Sequence, residues 1–173
     1  VYPLGESSFL MDSIPDYPNV LADLDEGVLR TIRNTYLSLL PKDMAAPFFT
    51  DKMPFNFKYI PIIARAFPRA RIINLVRDPM DTCFSIYKKF FSNRHRYAYR
   101  LDEIGSMYLI YQNMMETWRG RYTFWDLSYE SLVQDQEEQT RALLSFCGLS
   151  YEAAARDFHQ TKRPVNTASF YQI

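Results

Sequence analysis

The stretch INLVRDPMDTCFSIYKKF, residues 73–90, decides the fold of this chain. Its apolar, β-branched beginning, within RIINLV at residues 71–76, predicts a buried strand. Asp78 suits the N-cap of a following helix, and Pro79 suits its first position. The stretch therefore predicts a strand, a tight turn and a helix, with Arg77 at the carboxyl end of the strand. The helix is expected to turn one stripe of side chains inward, which consists of Cys83, Phe84, Tyr87, Phe90 and Phe91.

Helical and strand patterns alternate outside this stretch. Residues 25–40 predict a surface helix, because apolar residues recur on one stripe before Pro41. The stripe consists of Val28, Leu29, Ile32, Tyr36, Leu39 and Leu40. Residues 46–54, APFFTDKMP, predict a buried strand that opens into a loop at Asp51 and Lys52. Residues 59–68 predict a second helix, with Pro61 near its first turn and Pro68 at its end.

The carboxyl-terminal half is interpreted in the same way. Residues 93–103 predict a loop, and helical spacing returns at residues 102–118. YTFWDLSYESL, residues 122–132, predicts a strand followed by a short helix that begins near Tyr129. Further helices are predicted at about 137–147, ended by Gly148, and at 151–158. This order favours an α/β layered domain with a parallel sheet.

Composition limits the possible functions. At 173 residues and 47% hydrophobic content, the chain is expected to form one domain over residues 1–173. Twenty basic residues balance twenty acidic ones, so no overall field favours nucleic acid or an anionic membrane. The sequence contains no run of eighteen apolar residues, the pattern that would predict a membrane-spanning helix. Cys83 and Cys147 are interpreted as small core residues, which favours a reducing compartment, and we expect a cytoplasmic protein.

Two cationic residues, Lys52 and Arg77, follow predicted strands. In open α/β sheets, ligands collect beyond the carboxyl ends of the strands. A helix N-terminus beside a guanidinium suits phosphate oxygens, and Ser85 could add a hydroxyl donor. The alternative is an ordinary turn in which Arg77 makes a local ion pair. The pattern alone leaves both interpretations open.

Three segments resemble PAPS-dependent sulfotransferases: residues 51–91, residues 129–149 and residues 158–173. The likeness is to the bacterial group often attached to tetratricopeptide repeats and, more distantly, to tyrosylprotein sulfotransferases. It implies a P-loop-NTPase-like three-layer sandwich, a parallel sheet flanked by helices. It also implies in-line transfer of a sulfuryl group from PAPS (3′-phosphoadenosine 5′-phosphosulfate) to a hydroxyl or amine. The acceptor, whether carbohydrate, peptide tyrosine or small molecule, stays open.

The resemblance assigns roles to four residues. Arg77 and Ser85 match the pair that binds the 3′-phosphate of the donor. Lys52 in DKMP matches the lysine that stabilises charge on the leaving phosphate, and its alternative is a surface lysine. Glu6 in LGES, residues 4–7, matches the proposed general base, although a solvated or capping carboxylate is an equal alternative.

The expected site also includes residues near the carboxyl terminus. KRPVNTASFYQ, residues 162–172, resembles the loop that closes over the nucleotide, which implies donor contacts from Arg163, Thr167 and Ser169. A basic disordered tail is the alternative.

No metal is expected, since neither His95 nor His159 stands in a ligand pattern.

One family feature is missing from the chain. The family's first strand is followed by a Gly-containing loop whose backbone N–H groups bind the 5′-phosphosulfate. No such stretch occurs here, so we expect that loop to lie upstream of Val1 and the chain to be a fragment that binds the donor poorly.

Two other functions remain open from the sequence. One is a non-catalytic binding module that uses the Arg- and Tyr-containing loop at residues 93–100 to contact an acidic or carbohydrate partner. The other is a different P-loop-like nucleotide-dependent transferase, such as a small-molecule kinase. This second alternative is the weaker one, because the sequence has no Walker lysine after a Gly-rich turn.

Overall fold

The computed structural model of the chain describes residues 1–44, 46–89, 91 and 93–156, with the backbone alone at residues 93 and 94. Helices and parallel strands alternate through these ranges, which confirms the α/β class. The chain divides into two compact units. The first unit comprises Val1–Ala70 and Thr117–Tyr122, and the second comprises Arg71–Glu116 and the described part of Thr123–Ile173. The single domain over residues 1–173 stays a prediction.

The first unit combines one small parallel sheet with helices. Its strands are β1 (Tyr2–Pro3) and β2 (Phe49–Thr50), its α-helices are α1 (Phe9–Ser13), α2 (Glu26–Leu39) and α3 (Ile60–Ala66), and 3₁₀ helices cover Asn19–Asp23 and Pro54–Tyr59. Strands β1 and β2 pair in parallel, with Tyr2 opposite Phe49. Helix α2 begins as predicted, because the Asp25 carboxylate accepts a hydrogen bond from the Val28 N–H at 2.8 Å.

The core of the first unit lies between its three α-helices and the 3₁₀ segment before α3. It consists of Leu10, Ile14, Leu29, Ile32, Tyr36, Tyr59, Ile62 and Ala66. The predicted stripe of α2 is confirmed at Leu29, Ile32 and Tyr36. It is wrong at Leu39, which is 38% exposed, whereas the next residue, Leu40, packs against the core.

Substitution on α2 should separate burial from helix propensity. We expect Leu29→Ala to lower the free energy of unfolding by about 2–5 kcal/mol, because Leu29 is 1% exposed and its loss leaves a cavity. Leu37→Ala is the matched control, since Leu37 is 47% exposed on the same helix, and it should cost about 0.5 kcal/mol or less. Urea unfolding of both variants measures the difference, and equal losses would contradict the described core.

Strand β2 differs from the prediction of a buried strand. Phe48 is 51% exposed and Phe49 36%, because β2 pairs with one strand, β1, within the described residues and the small sheet leaves their rings partly uncovered. Strand β1 itself was not predicted from the sequence. Two residues are too short to show an alternating pattern.

The second unit is built around another parallel pair. Its strands are β3 (Ile73–Val76) and β4 (Trp125–Ser128), its α-helices are α4 (Pro79–Tyr87), α5 (Leu101–Arg119, whose last residues group with the first unit), α6 (Tyr129–Gln134) and α7 (Gln136–Cys147), and 3₁₀ helices cover Asn93–Tyr99 and Ala153–Ala155. Ile73 lies opposite Trp125 and Val76 opposite Ser128. The strand–turn–helix prediction is confirmed.

A row of hydrogen-bonded polar side chains crosses the β3–β4 pair. Asn74 donates its side-chain amide to the Asp126 carboxylate at 2.7 Å and accepts the Tyr111 hydroxyl at 3.0 Å. These bonds join neighbouring strands and helix α5 on one face of the pair, so they favour the observed register. That register brings the carboxyl ends of β3 and β4 side by side.

Several predictions for this unit need correction. Phe84 is 56% and Tyr87 46% exposed, so the predicted inward stripe of α4 is wrong at both positions. The ammonium of Lys88 lies 4.7 Å from the Phe84 ring centroid, which marks a surface contact. Strand β3 is not buried either, since Leu75 is 56% exposed. An apolar pattern identifies a stripe but not what covers it.

The predicted loop at residues 93–103 is also wrong. The segment forms the 3₁₀ helix Asn93–Tyr99, interrupted at His95, and then the start of α5. The helix predicted at 151–158 is reduced to Ala153–Ala155 within the described residues, and residues 157 and 158 lie outside them.

The end of α7 follows the prediction closely. Gly148 adopts a left-handed φ of 70°, which glycine tolerates best, and the Leu149 N–H donates to the Leu144 carbonyl at 2.8 Å. Cys83 and Cys147 are free thiols, and partial burial raises the pKa of each. None of the helices in the described ranges has the length and apolarity that crossing a bilayer requires.

Candidate functional site

The first group of site residues lies where β1 and β2 end. Backbone pairing continues past both strands, since the Leu4 N–H donates to the Thr50 carbonyl at 2.9 Å and the Lys52 N–H to the Gly5 carbonyl at 3.2 Å. Gly5 adopts a left-handed φ of 71°, which turns the chain between Leu4 and Glu6 at little steric cost. Parallel strands thus present Glu6 and Lys52 at one edge.

Glu6 and Lys52, the two predicted catalytic residues, form an ion pair. The Lys52 ammonium donates to Glu6 Oε1, although the residues lie 46 positions apart in the sequence. The Lys52 side chain is 58% exposed and that of Glu6 33%. A carboxylate and an ammonium group are therefore in contact on an accessible edge, where a proton acceptor and a charge stabiliser could both reach a bound substrate.

Asp51 supports this edge and was not identified from the sequence as a site residue. Its carboxylate accepts the Tyr36 hydroxyl at 2.9 Å and the Ser7 hydroxyl at 3.3 Å. Burial, followed by the nearby Asp51 charge, raises the pKa of Tyr36. Asp51 thereby joins helix α2 to the segments that carry Glu6 and Lys52. Its place before Lys52 in DKMP was the signal in the sequence.

The second group of site residues lies where β3 and β4 end. Arg77 Nη2 donates to Asp81 Oδ2 at 3.1 Å, and the guanidinium carbon lies 5.2 Å from the Tyr129 ring centroid. The Arg77 side chain is 41% and that of Asp81 62% exposed. This ion pair is local, as the alternative interpretation held, but it is open to solvent and an incoming anion could compete for the guanidinium.

The turn after Arg77 is fixed by two carboxylates. Asp78 caps α4 by accepting the Asp81 N–H at 2.9 Å, as predicted. The Asp78 N–H in turn donates to Glu130 Oε1 at 2.9 Å, and this backbone hydrogen bond is the main cause of the lowered pKa of Glu130. Tyr129 and Glu130 were not identified from the sequence as site residues, because their proximity to Arg77 depends on the strand register.

Ser85 lies half-buried on α4. It follows Asp81 by four positions, so the two residues share one face of the helix. Arg77 contacts Asp81 and therefore lies toward the same face as Ser85. This arrangement agrees with their predicted joint role but does not test it.

The other predicted site residues lie outside the described residues. These are Arg163, Thr167 and Ser169. Their roles stay predictions. Within the described ranges, no group of three or more His, Cys, Asp or Glu residues is placed to hold a metal ion, and the expectation of a metal-free reaction is likewise a prediction.

Two open clefts of about 300 and 380 Å³ lie at the beginning of α2 in the first unit. Asp25 lines both, and Asp23 lines the smaller one. Neither cleft includes a predicted site residue. The larger cleft is lined mainly by apolar residues around Asp25, so the candidate site is at the strand ends.

Comparison with known proteins identifies the family. Residues 15–153 match the Sulfotransferase family, a range that includes Lys52, Arg77 and Ser85 but not Glu6. The chain is also 33% identical, over 193 aligned residues, to an uncharacterized protein of Aquifex aeolicus (strain VF5). The alignment covers 100% of this chain and 25% of that protein, so the chain spans about a quarter of the length of this curated relative. No solved structure matches the chain. The chain belongs to the Sulfotransferase family.

Proposed function

We propose that the chain takes part in sulfuryl transfer from PAPS to a hydroxyl or amine acceptor. The observation that carries the proposal is the contact between Glu6 and Lys52 at the paired ends of β1 and β2. Family membership supports the reaction class. The accessible Arg77 at the end of β3 supports binding of a phosphate-bearing donor.

In the proposed step, an acceptor oxygen attacks the sulfuryl sulfur. A new S–O bond forms while the bond between sulfur and the bridging oxygen of the 5′-phosphate breaks, and its electron pair stays on the departing nucleotide. Glu6 takes the acceptor proton, and Lys52 stabilises the negative charge that grows on the bridging oxygen. Since Lys52 donates to Glu6 in the structure, it must turn from the carboxylate toward the phosphate during the step.

Arg77 and Ser85 are assigned to the 3′-phosphate of the donor. A phosphate offers the guanidinium two oxygens in a bidentate arrangement, whereas Asp81 accepts a single hydrogen bond from it. We therefore expect the phosphate to replace Asp81 as the partner of Arg77. Arg163, Thr167 and Ser169 are proposed as further donor contacts.

The remaining features of the proposal follow from the family and the chemistry. Lys52 and Arg77 carry the charge stabilisation, so the proposed step asks for no metal ion. The acceptor is a carbohydrate, a peptide tyrosine or a small molecule, and nucleic acid is not proposed as a partner. The free thiols of Cys83 and Cys147 support a reducing, cytoplasmic setting. The domain is proposed to form the P-loop-like three-layer sandwich.

The natural protein provides the test. It should bind adenosine 3′,5′-bisphosphate in a calorimetric titration and transfer ³⁵S from labelled PAPS to at least one member of a panel comprising an oligosaccharide, a tyrosine peptide and a phenol. A Glu6→Gln variant should retain binding and lose most of the transfer. Absence of both binding and transfer would contradict the proposal and favour a non-catalytic module.

A further inference from the structure

We propose that Glu130 is a positioning residue that directs the Arg77 side chain. The inference rests on the proposed role of Arg77 in binding the 3′-phosphate. Glu130 lies in the first turn of α6, 52 positions after Asp78, yet its Oε1 accepts the Asp78 N–H at 2.9 Å. Asp78 directly follows Arg77, so Glu130 holds the peptide from which the Arg77 side chain leaves the strand.

Glu130 is itself anchored. Its Oε2 accepts the Ser128 hydroxyl at 3.1 Å, and the Ser128 oxygen in turn accepts the Ser131 N–H at 3.1 Å as the cap of α6. Both carboxylate oxygens therefore have partners, one from the end of β3 and one from the end of β4. A carboxylate bound at both oxygens has a defined direction and can define that of its partner.

A second link reaches Arg77 through Tyr129. The Arg77 guanidinium lies over the ring of Tyr129, which precedes Glu130 in the chain. Displacing the first turn of α6 would thus move the ring beside the guanidinium as well as the peptide after Arg77. Among the described residues, the hydrogen bond of 3.1 Å to the exposed Asp81 would then be the remaining restraint on the side chain.

Because Glu130 is negatively charged, a positioning role and a purely electrostatic role predict opposite changes in phosphate affinity. A carboxylate near Arg77 repels an incoming phosphate, so removing its charge should strengthen binding if electrostatics alone mattered. A positioning role instead predicts weaker binding for a variant whose side chain at position 130 cannot accept the Asp78 N–H. Glu130→Gln separates the two, because the amide oxygen can still accept that hydrogen bond without the negative charge.

The experiment measures the affinity of the natural protein for adenosine 3′,5′-bisphosphate by calorimetry. We expect Glu130→Ala to weaken binding about tenfold. Glu130→Gln should bind with the affinity of the wild type or up to about threefold more tightly. Glu138→Ala is the control, since it removes the same charge from the exposed first turn of α7 and should leave affinity unchanged. Affinity of Glu130→Ala equal to or tighter than that of the wild type would overturn the inference.

A second readout keeps the inference separate from the proposed function. If the wild type binds no nucleotide, the proposed function fails, and the Nε–H resonance of Arg77 in protein labelled with [¹⁵N]arginine decides the positioning role. The resonance should shift in Glu130→Ala but stay near its wild-type position in Glu130→Gln and Glu138→Ala. An unchanged resonance in Glu130→Ala would overturn the inference. Thermal unfolding checks that the exposed substitutions leave the fold intact.

Discussion

Replacing Lys52 with methionine should reduce kcat for sulfuryl transfer by about 10²–10³-fold. The substitution keeps most of the side-chain volume and removes the ammonium that is proposed to stabilise charge on the bridging oxygen. That charge develops in the transition state, so the KM for the donor should change less than kcat. Steady-state transfer of ³⁵S from PAPS by the natural protein measures both quantities.

Two further variants make the Lys52 result specific. Lys42→Met removes a charge from an exposed position in the same unit and should leave kcat unchanged. Lys52→Arg keeps the charge but replaces a compact ammonium by a larger planar group, so partial activity is expected. If Lys52→Met transferred sulfate at the wild-type rate, Lys52 would have no part in the chemical step.

Local signals predicted the ends of two helices of this chain. The Asp78-Pro79 pair begins α4 and Gly148 ends α7, as expected. Each of these features depends on residues within one turn of a helix end, so the sequence contains all the information that they need.

Contacts between strand ends could not be obtained in this way. The resemblance proposed separate roles for Glu6 and Lys52, but their ion pair depends on the register of β1 and β2, each only two residues long. The same reason explains why Glu130 was missed, since its hydrogen bond to Asp78 depends on the β3–β4 register. Register between distant strands is set by tertiary packing, which one short pattern does not encode.

Burial was the least predictable property. Leu75 fits a predicted buried strand and Phe84 a predicted helical stripe, and each is nevertheless 56% exposed. Periodicity shows that side chains share a face, while burial also requires an element to pack against that face.

Replacing Arg77 with alanine should weaken binding of adenosine 3′,5′-bisphosphate by about 10²-fold, because the proposed 3′-phosphate contact is a charge-assisted hydrogen bond. Calorimetric titration of the natural protein measures the loss. Arg77→Lys should recover only part of it, since an ammonium lacks the bidentate fork of the guanidinium.

A control variant decides whether Arg77 acts through its position or only through its charge. Arg100→Ala also removes an exposed arginine from the second unit, one that is paired with Asp102 and Glu103. If net charge governed affinity, both alanine variants would weaken binding equally. A loss confined to Arg77→Ala would instead assign the phosphate to the end of β3, where Arg77 is held by one exposed carboxylate that an anion can replace. Unchanged affinity in Arg77→Ala would remove the basis for assigning the donor phosphate to this strand end.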